Sequence, residues 1–232
     1  MRFQTLTRLL SAMVVGGACI IFGTARAADF TLRTSEKAAR KEIGETIRSV
    51  LQTKAIQLLD GDKPVLEIWL RNEFPLKAKP ASATDRLSAI GETTLLGVIV
   101  VTGNGLRDYK DNEIPSGTYT ARFGLQPQDG DHLGTAEFNY FLVLISADMD
   151  KELSGMSQFK PMTKASGKLT SSGHPMVVSL RPAPSSDGLP KLTEPAADHK
   201  AIRLQVPGKV GSAGEKIEVA FDLVYKGTGH IQ

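Results

Sequence analysis

The chain has 232 residues, of which 41% are hydrophobic, with 28 Lys and Arg against 25 Asp and Glu and a single cysteine, a length that suffices for one sizeable core. One cysteine excludes a disulfide framework and a thiolate metal site. Three of the basic groups, Arg2, Arg8 and Arg26, lie in the first 27 residues, which contain no acid, so the remainder balances at 25 against 25 and carries no electrostatic footprint for nucleic acid.

Arg2 and Arg8 make a basic start, residues 9–22 an apolar run, and Ala25-Arg26-Ala27 a small-x-small cleavage site. This pattern predicts a signal peptide over 1–27 and a mature chain of 28–232, periplasmic or secreted. The run is short and interrupted by Gly16 and Gly17, which argues against a permanent membrane span, so none is expected in the mature form. Gly17-Ala18-Cys19 is a partial lipoprotein signal. Gly16 stands where a large aliphatic residue is wanted and the apolar run continues through Ile20, Ile21 and Phe22, which places cleavage after Ala27.

The mature chain opens with a short strand over 30–33 and then a predicted helix over about 35–51. Ser35 would cap it, Glu36 would lie in its first turn, and Ala39, Ile43, Ile47, Val50 and Leu51 would share a face, with Gly44 as a weak point. Residues 55–59 and 65–70 flank Asp60-Gly61-Asp62, a hairpin signal. Residues 72–86, with Pro75 and Pro80, read as a loop or short edge crossing, and 95–102 as a buried β-branched strand. In 117–125, Tyr119, Ala121, Phe123 and Leu125 alternate with more polar residues, the pattern of a strand with one buried face. In 138–145 both faces are apolar, which predicts a central strand between two layers. Period two is lost over 146–172, where one short helix is expected near 162–168, and returns over 176–180. Pro182, Pro184, Pro190 and Pro195 make 181–199 a surface crossover unable to join a central ladder. The chain closes with strands over 201–206 and 215–225, the latter alternating Ile217, Val219, Phe221, Leu223 and Tyr225 with more polar residues.

Eight or nine strands, little helix and no internal repeat predict a mainly β protein: a single antiparallel β-sandwich domain over 28–232, Ig-like or jelly-roll-like, with a short N-terminal helix. The run Pro115-Ser116-Gly117-Thr118-Tyr119 is similar to the proline-glycine-x-tyrosine start of a strand in transthyretin-like and other Ig-like sandwich modules. More widely, GTYTARFGLQPQDGDHLG, FLVLISADMD and SGHPMVVSL, with DG ahead of EIWLR, resemble a family of uncharacterised exported bacterial β-sandwich proteins over most of the mature chain. That resemblance implies export and names no activity.

Asp129, Asp131 and His132, in the loop between the two central strands, put two carboxylates and an imidazole within four residues. Oxygen and nitrogen donors so placed suit a divalent cation, while Asp and Gly also serve turns through hydrogen bonds to backbone amides. Trp69 is read as rim or core packing, with a stacking platform for a sugar or peptide as its functional alternative. Asp148, Asp150 and Glu152 read as an exposed acidic turn, and Met149, Met156, Met162 and Met176 as adaptable filler, not as copper ligands with His174. No nucleophile elbow, zinc-protease helix or phosphate-cradling loop occurs. The sequence therefore predicts an exported non-catalytic binding or structural accessory module for an envelope or extracellular ligand, with no cofactor. Its alternatives are a hydrolase acting on envelope or carbohydrate substrates through acidic residues and a periplasmic metal-binding protein. A hydrolase would gather two or more of Asp129, Asp131, His132 and His174 around one concave pocket, whereas a binding module would leave them scattered.

Overall fold

The structure, a computed structural model, describes residues 30–103, 105–128, 130, 136–212 and 214–227. The predicted signal peptide and the side chains of Asp129, Asp131 and His132 lie outside them. Among the described residues the strands are β1 (Phe30–Glu36), β2 (Lys54–Asp60), β3 (Lys63–Leu70), β4 (Phe74–Leu76), β5 (Leu95–Val101), β6 (Gly117–Leu125), β7 (Tyr140–Ser146), β8 (Val177–Pro182), β9 (Lys191–Ala196), β10 (His199–Val210) and β11 (Lys216–Lys226). Two short helices, α1 (Glu45–Arg48) and α2 (Phe159–Gly167), lie between β1 and β2 and between β7 and β8.

The protein is mainly β, as expected, but the strands form one continuous sheet in the order β1-β2-β3-β5-β6-β7-β8-β11-β10-β4, with β9 on the side of β10. All pairings are antiparallel except the short parallel pair of β4 with β10. The two-sheet sandwich is thus corrected to a nearly closed, barrel-like sheet, because an unbroken ladder runs from β1 to β10. Across the remaining seam Phe30 meets Tyr225 edge to face, with ring centroids 5.7 Å apart.

Strand alternation decides what fills the ring. Tyr119, Ala121 and Phe123 of β6, Leu142 and Leu144 of β7, and Val219, Phe221, Leu223 and Tyr225 of β11 join one buried interior cluster. Phe141, Val143 and Ile145 point the other way, beneath α2, in a second cluster with Met162. The apolar second face of β7 is therefore covered by a helix, which is why the whole strand reads as buried.

The N-terminal helix over 35–51 does not form. Ser35 and Glu36 are used instead by the β1–β2 ladder, opposite Ala55 and Lys54, and only α1 remains helical. Ile43, Ile47 and Leu51 still bury together, against Trp69, Leu95, Val98 and Val100 on the outer face of β2, β3 and β5. The apolar spacing thus reported a shared burial face more than a continuous helix. Gly44 is required here, since a Cβ at that position would lie 1.8 Å from the Lys151 carbonyl oxygen.

Polar groups pin these outer layers to the sheet. Trp69 Nε1 donates to the Lys37 carbonyl at 2.6 Å, and Lys37 Nζ donates to Glu67 at 2.6 and 3.0 Å. Gln57 Nε2 donates to the same carboxylate at 2.6 Å. Burial alone would raise the Glu67 pKa; the hydrogen bonds from Lys37 and Gln57, with the charges of Lys37 and Arg40, outweigh it and hold the carboxyl below its ordinary value.

Candidate functional site

A pocket of about 270 Å³ opens on the outer face of β6, β7 and β8, roofed by α2. This is close to the lower end of the roughly 300–1,000 Å³ of small-molecule sites. Its floor is built by strand alternation: Phe141 and Val143 of β7 and Val177 of β8 face outward here, because their neighbours Leu142 and Val178 face the interior. Phe159 and Thr163, four residues apart on α2, form one wall. Gly124 makes room for them. A Cβ there would lie 2.8 Å from Val143 Cγ2 and within 4 Å of Met162 and Phe159, so a side chain on this strand position would push the helix away.

The helix is fixed at its far end. Ser166 Oγ accepts from the Met176 amide at 2.8 Å, and Gly167 approaches Gly173 so closely that a Cβ would lie 2.2 Å from the Gly173 carbonyl oxygen. The opposite wall comes from Tyr109, in the connection between β5 and β6, whose amide donates to the Val177 carbonyl at 3.0 Å. The Tyr109 ring meets Phe141 edge to face at 5.7 Å and stacks on His174 at 6.3 Å. Lys110 Nζ lies 5.5 Å from the same ring. The pocket is thus an aromatic-walled, largely apolar recess, with Gln126, Thr163, His174 and Tyr109 as its polar edges.

Of the residues singled out by sequence, His174 lines this recess, and Gln126 and Pro127 on its rim lead into the loop of Asp129, Asp131 and His132. Those three side chains lie outside the described residues; Gly130 between them has φ 51°, the positive value a turn needs. Trp69 is completely buried between the sheet and the N-terminal segment and presents no ring face to solvent. Asp148, Asp150 and Glu152 part company. Asp148 accepts from Lys151, Glu152 from Thr46, and Asp150 is wholly buried against Arg122. Met162 and Met176 belong to separate buried clusters.

Among the described residues no group of three or more His, Asp, Glu or Cys side chains is placed to hold a metal ion. No helix among them is long and apolar enough to cross a membrane. Tyr109, Gly124, Phe159 and Thr163 were not singled out by sequence. Only Gly124, a lone glycine inside a strong strand pattern, carried a signal, since such a residue marks close approach of another element. Comparison of the chain with protein-family models, with curated proteins and with solved structures finds no match.

Proposed function

We propose that this protein is an exported, non-catalytic binding module whose recess under α2 receives a compact apolar or aromatic group. The observation that carries this reading is the recess itself: concave, preformed, walled by Tyr109, Phe141 and Phe159, and built on a strand whose other face is locked into the interior. Rigid elements on three sides hold the site open without a ligand, which lowers the ordering cost of binding. Tyr109, His174 and Gln126 at the edges supply the directional contacts that orient a ligand. Export rests on the signal-peptide pattern of residues 1–27 and on the resemblance to exported bacterial proteins.

A hydrolase is the second reading, and one observation favours it: His174 lines the recess from whose rim residues 126–128 lead toward Asp129. The two readings separate by turnover. Calorimetry and thermal shift with indole, benzyl alcohol and hexanol test the first, and binding at 100 times Kd raises stability by about 2.7 kcal/mol. Thr163→Phe, which fills the recess, should abolish the shift; its hydroxyl bonds only to the Phe159 and Lys160 carbonyls within its own helix. Absence of any shift in the wild-type protein contradicts the binding reading. Hydrolysis of ester and glycoside probes that is lost in Asp131→Asn with His132→Ala replaces it with the hydrolase.

A further inference from the structure

A second concavity, of about 420 Å³, lies where the ring is left open between β1 and β10. Its origin is a change in the inward-facing positions. Along β1 these run Phe30, Leu32, Thr34, and along β2 they run Leu58, Ile56, Lys54, so the interior turns from apolar to polar toward one end. Ile56, Leu70 and Leu204 remain as an aliphatic floor contributed by three separate strands. The segment between β8 and β9 closes the far side, with Gly188 at φ 72° in the turn.

Most of the polar groups around this floor are neutral. Thr34, Gln52, Ser186 and Gln205 are uncharged hydrogen-bonding side chains. The two charges present are opposite in sign, Lys54 and Asp187, and Lys54 is already 2.7 Å from Glu36. No net field selects an ion. Gln205 is held by the Ser186 amide, which donates to its Oε1 at 3.3 Å. Ser186 Oγ itself is shielded from solvent and has no hydrogen-bond partner among the described residues. A shielded hydroxyl left without a partner costs free energy, and rotation of the Ser186 side chain into the slot it lines would let a ligand complete the bond and recover that cost.

We propose that this slot binds a neutral polyhydroxylated ring, a saccharide unit, with its C–H face on the aliphatic floor and its hydroxyls toward Thr34, Gln52, Ser186 and Gln205. A pyranose has these two surfaces, an apolar face and a rim of donors and acceptors, and side-chain amides can bond adjacent hydroxyls as both donor and acceptor. The slot volume falls within the roughly 300–1,000 Å³ of small-molecule sites. An acidic or phosphorylated ligand finds no surplus cation here, and a purely apolar one leaves the Ser186 hydroxyl unanswered.

The test is a chemical-shift titration of the isotope-labelled mature protein with glucose, galactose and N-acetylglucosamine, alongside inorganic phosphate. The expected result is sugar-dependent shifts confined to amides around 52–56, 186–189 and 204–205, with none from phosphate. Gln52→Ala with Ser186→Ala removes two polar contacts without touching the floor, and sugar affinity should fall at least tenfold with no drop in the melting temperature of the free protein. Absence of shifts with all three sugars, shifts outside the slot, or unchanged affinity in the double variant would overturn the assignment. Because apolar probes of the recess report on β7, β8 and α2, failure of one site is distinguishable from failure of the other.

Discussion

Arg122 and Asp150, 28 residues apart, form a bidentate ion pair with no solvent exposure to speak of: Nε to Oδ2 at 2.7 Å and Nη2 to Oδ1 at 2.9 Å. Thr120 donates to the same carboxylate at 2.6 Å, and Arg122 also donates to the Thr93, Glu152 and Leu153 carbonyls. The outer face of β6 is thereby tied to the turn that follows β7, the turn on which α1 packs through Thr46. Asp150→Ala leaves a buried guanidinium without its counter-charge and should cost about 3–5 kcal/mol in urea unfolding. Arg122→Met with Asp150→Leu removes both charges, and its cost should fall well below the sum of the two single variants.

Glu67 makes stability depend on acid. Its folded pKa is depressed below the 4.5 of a free glutamate, so the unfolded chain takes up the proton first as pH falls. The contribution is complete above the unfolded value and is lost as pH drops through the folded one. Glu67→Gln should therefore lower stability at neutral pH and flatten the decline below about pH 4.5. Melting temperatures of both proteins between neutral pH and pH 3 would show this; parallel acid limbs would contradict it.

Trp69 is the one tryptophan in the chain, so fluorescence reports on one place. Emission should be blue-shifted and resistant to iodide, as expected for a ring sealed under the segment that carries Ile43, Ile47 and Leu51. Ile47→Ala should cost about 2–5 kcal/mol through lost transfer energy and a residual cavity. Easy quenching in the native wild type would show that the N-terminal cover is open.

The strands were legible where side-chain period decides burial. Tyr119, Phe123, Val219, Phe221 and Leu223, read from alternation, are all buried, as are Phe141 and Leu142 of the 138–145 run that is apolar on both faces. Closure of the sheet was not legible, because alternation fixes which face a residue takes and is silent on which strand lies beside it; the pairing of β8 with β11 joins segments far apart in sequence. The failed helix over 35–51 has the same cause, since a spacing of four is satisfied equally by one helical turn and by a strap lying on a sheet. In the recess, His174 stood out by its chemistry. Tyr109 did not, as it comes from an irregular connection whose position is set only by tertiary packing, and neither did Phe159, which opens α2 ahead of the helix expected near 162–168.

The proposed cleavage after Ala27 would put the mature N-terminus two residues ahead of β1, which begins at Phe30. Mass measurement of the exported protein should give a chain starting at Ala28. A species beginning with lipidated Cys19 would contradict the proposed leader.

The recess under α2 is tested most directly by methyl-labelled NMR during titration with indole. Val143 and Val177 methyl signals, on the floor, should shift and saturate together, while Leu58 and Ile99 in the ring interior stay fixed. Thr163→Phe should remove these shifts and leave the interior signals where they are. Indole shifts that fail to saturate, that appear at the interior methyls, or that persist unchanged in Thr163→Phe would contradict the recess as the binding site.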